Sequence, residues 1–85
     1  MRPGDTITGT NGTALVTAMQ FRINLRQDRS ELELTVVAKT PNGRKHMREW
    51  TRSSAQVSPT LNQIGNAMTA IEATAQTDIE AMLSR

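Results

Sequence analysis

The chain contains no cysteine and no tyrosine, and Phe21 and Trp50 are its only aromatic residues. Without cysteine there are no disulfide staples and no thiolate metal sites, a composition that suits a cytoplasmic protein. Long apolar runs are also missing. None approaches the roughly 18 residues that cross a bilayer, so no membrane partner is expected. Residues 1–20 lack the charged start and continuous apolar stretch of a secretory signal, and Asn11-Gly12-Thr13 therefore reads as a turn.

Catalytic groups are equally scarce. His46 is the single histidine, set beside Lys45 and near Arg44 and Arg48, with no carboxylate next to it. A metal site needs several convergent ligands, which one histidine without HxxxH or HxxE spacing does not supply. Glu31 and Glu33 lie on one strand face and read as cross-strand charge partners rather than a hydrolytic pair. Gly9 and Gly12 have neither GxGxxG nor GxxxxGK context, and Ser53-Ser54 has no neighbouring base. No catalytic, metal or cofactor residue is assigned, and no small-molecule substrate is expected.

What is present describes one small domain. Eighty-five residues allow a single sheet packed on a single helix. Residues 1–12, with Pro3, Gly4, Gly9 and Gly12 among threonines, read as a flexible lead-in or a short edge strand at Thr6–Thr8. Residues 13–85 form the domain proper. Leu15, Met19, Phe21, Ile23 and Leu25 share one parity and alternate with polar residues, which predicts a half-buried strand. After the break at 27–30, Leu32, Leu34, Val36 and Ala38 alternate in the same way. Asn42-Gly43 is a hairpin signal, since both residues tolerate positive φ.

Residues 44–52 form the third strand, with an ambiguous facing. A two-residue turn pairs Ala38 with Met47 and Val36 with Glu49, leaving Trp50 outside with His46 and Arg48. A bulge turns Trp50 inward instead. Both placements are open: core residue or contact residue.

The last segment is an amphipathic helix. Ser58-Pro59 supplies a start, and Leu61, Ile64, Met68, Ile71, Ala75, Ile79 and Met82 form one stripe at spacings of three and four. Unbroken, residues 59–84 span about 39 Å, against about 26 Å for an eight-residue strand. Either the helix breaks near Gln76, where Thr77-x-x-Glu80 matches a capping box, or its apolar end at Ile79, Met82 and Leu83 overhangs and joins a second copy. A homodimer through those three residues is the expectation. The predicted fold is α+β: a three-stranded antiparallel meander followed by a long C-terminal helix.

The net charge of +2 is unevenly spread. Residues 20–52 carry eight basic and four acidic side chains, whereas residues 53–84 carry only Glu72, Asp78 and Glu80. A basic sheet face meets phosphates or an acidic protein surface. Ile23 through Trp50, with the Ser30-x-Leu-x-Leu-x-Val strand and the Asn42-Gly43 turn, and then Leu61-x-x-Ile64-x-Asn66-Ala67-Met68-x-x-Ile71, resembles a small phage-encoded anti-CRISPR family of strand-sheet-plus-helix proteins. The resemblance covers roughly half of the chain. It implies a non-enzymatic inhibitor, in a host cell cytoplasm, that docks its sheet on the backbone subunits of a type I surveillance complex. That family's sheet presents tyrosines and this chain has none, so any such contact rests on charge through Arg22, Arg26 or Arg48.

The expected activity is thus protein binding by the outer sheet face, with Arg22, Arg26, Val37, Lys39, His46, Arg48 and Trp50 as the candidate contact set. The alternative partner is nucleic acid on the same basic face. Single-strand binders interleave such charge with stacking aromatics, and here they are few.

Overall fold

A computed structural model describes residues 1–85. Four strands, β1 (Thr6–Gly9), β2 (Gly12–Leu25), β3 (Ser30–Lys39) and β4 (Lys45–Ser54), form one antiparallel meander in the order β1-β2-β3-β4. A single helix, α1 (Leu61–Met82), lies across one face. The sheet therefore has four strands rather than three, because residues 6–9 pair with residues 12–15 across the two-residue loop Thr10-Asn11.

Alternation dictates which side of each strand meets the helix, but two local irregularities decide the phase. Between Val16 and Ala18 the register of β2 on β3 shifts by one residue. The extra residue flips the strand, so Ala14 and Val16 point inward before the bulge and Met19 and Phe21 after it. Leu15, expected on the same face as Met19, lies opposite Lys39 on the outer face instead.

The second irregularity is the β3–β4 connection. Lys39 pairs with Lys45, leaving a five-residue loop in place of a two-residue turn. Gly43 sits in it at φ +83°, and Gly43 N–H donates to Thr40 O at 2.9 Å. The pairing becomes Ala38 with His46, Val36 with Arg48 and Leu34 with Trp50. A one-residue slip turns every side chain to the other face. His46, Arg48 and Trp50 still share a face, as the two-residue turn implies, but it is the helix face. Trp50 is only 9% exposed and is a core residue.

The core joins Ile7, Ala14, Val16, Leu32, Leu34, Val36, Ala38 and Trp50 of the sheet to Ile71, Ala75, Ile79 and Leu83 of the helix segment. Trp50 Nε1–H donates to Asp78 Oδ2 at 2.6 Å, satisfying the one polar atom that burial of the indole would otherwise strand. Thr60, not Ser58, caps the helix. Its side chain accepts from Gln63 N–H while Gln63 Oε1 accepts from Thr60 N–H, a complete capping box.

The helix runs unbroken past Gln76 and does not overhang. Beyond β3, the β1–β2 hairpin extends the sheet under the last turn. Asn11 N–H donates to Leu83 O at 2.8 Å and Thr10 N–H to Ser84 Oγ at 3.0 Å. Gly9 permits this approach, because a Cβ there would stand 2.6 Å from the Leu83 carbonyl carbon. Ile79 and Leu83 are consequently buried within the monomer, and Met82 packs half-buried beside them. Ile79 and Leu83, expected at a dimer contact with Met82, are thus covered within the monomer, and the overhang that argued for a dimer there is absent. The helix is not long and apolar enough to cross a membrane.

Candidate interaction surface

The face of the sheet away from the helix has no covering layer. Its rows, read from strand to strand, are Leu15–Lys39–Lys45, Ala18–Val37–Met47, Gln20–Thr35–Glu49, Arg22–Glu33–Thr51 and Asn24–Glu31–Ser53. The first two rows make an apolar strip of Leu15, Ala18, Val37 and Met47 bordered by two lysines. Met47 is 64% exposed, a large apolar side chain with nothing over it. The remaining rows carry Arg22 with Glu31, Glu33 and Glu49, so together with Lys39 and Lys45 of the first row three basic groups are balanced by three acidic ones. The outer face as a whole is not basic.

The excess positive charge lies on the β4 rim. β4 is an edge strand, paired only with β3. Arg44 ends the loop before it, Lys45 begins it, and Arg48 and Arg52 flank Trp50 on the helix-facing side, with His46 on the same face. His46 to Arg52 covers about 20 Å of strand. Glu49 is the only acid among these residues. None of Arg44, Lys45, Arg48 and Arg52 forms an ion pair. By contrast, Arg26 reaches Glu31 at 3.4 Å and Arg29 contacts both Glu31 at 3.1 Å and Asp28 at 3.0 Å.

The seven candidate contact residues therefore do not form one patch. Arg22, Val37 and Lys39 are on the outer face, Arg26 is tied to Glu31 beyond the end of β2, and His46, Arg48 and Trp50 face the helix side. Trp50 is not available as a contact. Lys45, Met47 and Arg52 join the set instead. Alternation from Arg48 and Trp50 already implies Arg52, whereas Met47 is legible only once the loop length is known.

A cavity of ≈ 310 Å³ opens between the first turns of the helix and the sheet, with Ile23, Leu32, Arg52, Gln63 and Asn66 among its lining residues. Ser30, also in its wall, donates its hydroxyl to Gln56 O at 2.8 Å and is thereby engaged in closing the β4–helix connection. Nowhere do three side chains of metal-ligating type come together.

No protein-family model matches this chain, and no curated protein or solved structure is significantly similar to it.

Proposed function

We propose that this is a non-enzymatic binding protein that docks an acidic surface of a protein partner on its β4 rim. The observation that carries the reading is the run of four unpaired cations, Arg44 in the loop and Lys45, Arg48 and Arg52 along the open strand, next to the exposed Met47. Unpaired charge at a rim steers encounter and selects an oppositely charged partner. An adjacent apolar centre supplies the contact that excludes water, and methionine is enriched in such centres. A small inhibitor of the anti-CRISPR kind is the specific form that the resemblance suggests, with the contact carried by charge in place of tyrosines.

Nucleic acid is the second reading, since phosphates also recognise such a rim. The orientation of the aromatics disfavours it: Phe21 and Trp50 both point to the helix side, so no base-stacking platform accompanies the cations. The deciding experiment is affinity capture from host lysate with the wild-type protein and with an Arg48→Glu/Arg52→Glu variant, alongside oligonucleotide titrations at several salt concentrations. The expected result is one stoichiometric protein, lost with the variant, and no oligonucleotide binding. Oligonucleotide affinity that falls steeply with salt, with no protein captured, would overturn the reading in favour of nucleic acid.

A further inference from the structure

The sheet has a second open edge, and it belongs to β2. β1 is only four residues long and pairs with Gly12–Leu15, and the lead-in adds hydrogen bonds only at Val16. From Ala18 to Leu25 the β1-facing backbone of β2 has no partner. Over those eight residues, about 26 Å of strand, Arg22 is the only charge. Natural sheets protect long open edges with charge, proline or a covering element, and this segment has almost none of these. Its helix-facing residues run past the edge of the core: Met19 and Phe21 pack against it, whereas Ile23 is 43% and Leu25 66% exposed.

We infer that the β2 edge from Ala18 to Leu25 pairs with the same edge of a second copy, joining two four-stranded sheets into one of eight strands. An antiparallel edge is self-complementary under a two-fold axis normal to the sheet, so a single patch supplies both halves of the contact. Side chains directly opposite each other must share a face, which restricts the axis to a residue position. An axis at Arg22 sets two guanidinium groups opposite each other, a destabilising pair. An axis at Phe21 keeps almost the full overlap and separates the charges. It places Phe21 against Phe21 of the second copy, Met19 against Ile23, Ala18 against Asn24, and Arg22 against Gln20. Met19 and Ile23 are then covered by equivalent side chains, Leu25 lies at the end of the overlap, opposite the bulge, and both helices lie on one side of the joint sheet. A strand ladder with few flanking contacts sits at the small end of stable interfaces, so the dimer forms in a concentration-dependent way.

The test is sedimentation equilibrium over a wide concentration range on wild type, Ile23→Lys, Leu25→Lys and, as a control on the other edge, Met47→Lys. All three sites are already solvent-exposed, and thermal melting checks that each variant folds. Wild type and Met47→Lys should dimerise alike, whereas Ile23→Lys weakens the dimer by about tenfold to a hundredfold, the loss expected for two half-exposed aliphatic side chains, one from each copy, and Leu25→Lys, at the end of the overlap, weakens it less. Because the chain has no cysteine, a mixture of Gln20→Cys and Arg22→Cys protein should oxidise to the mixed disulfide: opposed Cα atoms stand about 4.5–5.5 Å apart in such a ladder, inside the disulfide range of about 4.4–6.8 Å. A wild-type monomer at millimolar concentration overturns the inference. So does a dimer lost with Met47→Lys and retained with Ile23→Lys, or one that never yields the mixed disulfide.

Discussion

The two open edges of the sheet are built in opposite ways. β4 carries Arg48 and Arg52 on its helix-facing side and Lys45 on the other, and is anchored to the helix by Trp50, whose indole N–H reaches Asp78. Along β2, from Ala18 to Leu25, Arg22 is the one charge among apolar residues and the neutral Gln20 and Asn24, no helix residue is hydrogen-bonded to it, and its end is exposed. Charge on an edge opposes pairing with a copy of itself and favours a partner of opposite sign. An apolar, nearly neutral edge favours its own kind. The two proposed docking modes thus use different edges of one sheet, and they are separable by mutation.

The sharpest contrast is in stability. Trp50→Ala should cost about 3–5 kcal/mol, the usual range for truncating a buried aromatic. Leu25→Ala, at the exposed end of β2, should cost under about 1 kcal/mol in the monomer, because 66% of the residue stays exposed after folding. Chemical denaturation of dilute protein measures both, and equal losses would break the distinction between an anchored edge and a bare one.

Next in size is Gly9→Ala. The added methyl collides with backbone of the last helical turn, which must shift, at a cost of about 1–3 kcal/mol. Loss of amide protection at Asn11, whose N–H caps Leu83, would confirm that the β1 hairpin, not a second copy, holds the helix end. Asp78→Ala removes the acceptor of the Trp50 N–H and should cost about 1–3 kcal/mol. Trp50 is the only tryptophan, so its fluorescence reports the change without interference. The smallest stability effect is that of Arg48→Glu/Arg52→Glu. These side chains are exposed and unpaired, so folding stability should move by under about 0.5 kcal/mol per site, while capture of an acidic partner is lost.

Much of this architecture is visible in the residues themselves. Strict alternation from Leu32 to Ala38 marks β3, and the three-and-four spacing from Ile64 to Ile79 marks the helix. Phase is not visible. The bulge at Thr17 carries no sequence marker and moves Leu15 to the outer face. The loop at 40–44 contains Asn-Gly and yet closes over five residues, which turns Trp50, His46 and Arg48 to the helix side. The burial of Ile79 and Leu83 is hidden for a related reason. Residues 6–9 are threonine- and glycine-rich, and nothing local shows that they pair with β2 and bury Ile79 and Leu83. Contacts so distant in sequence leave no periodic signal. The candidate site was legible as charge composition and not as geometry, because a basic count over residues 20–52 cannot say which side of a strand each arginine occupies.

Amide hydrogen exchange followed residue by residue, at low and at high protein concentration, tests the two-edge account most directly. The account predicts that protection within Ala18–Leu25 rises with concentration, as one edge is covered by a second copy, while β4 amides facing away from β3 exchange freely at every concentration. Protection of β2 that is independent of concentration, or a rise confined to β4, would contradict it.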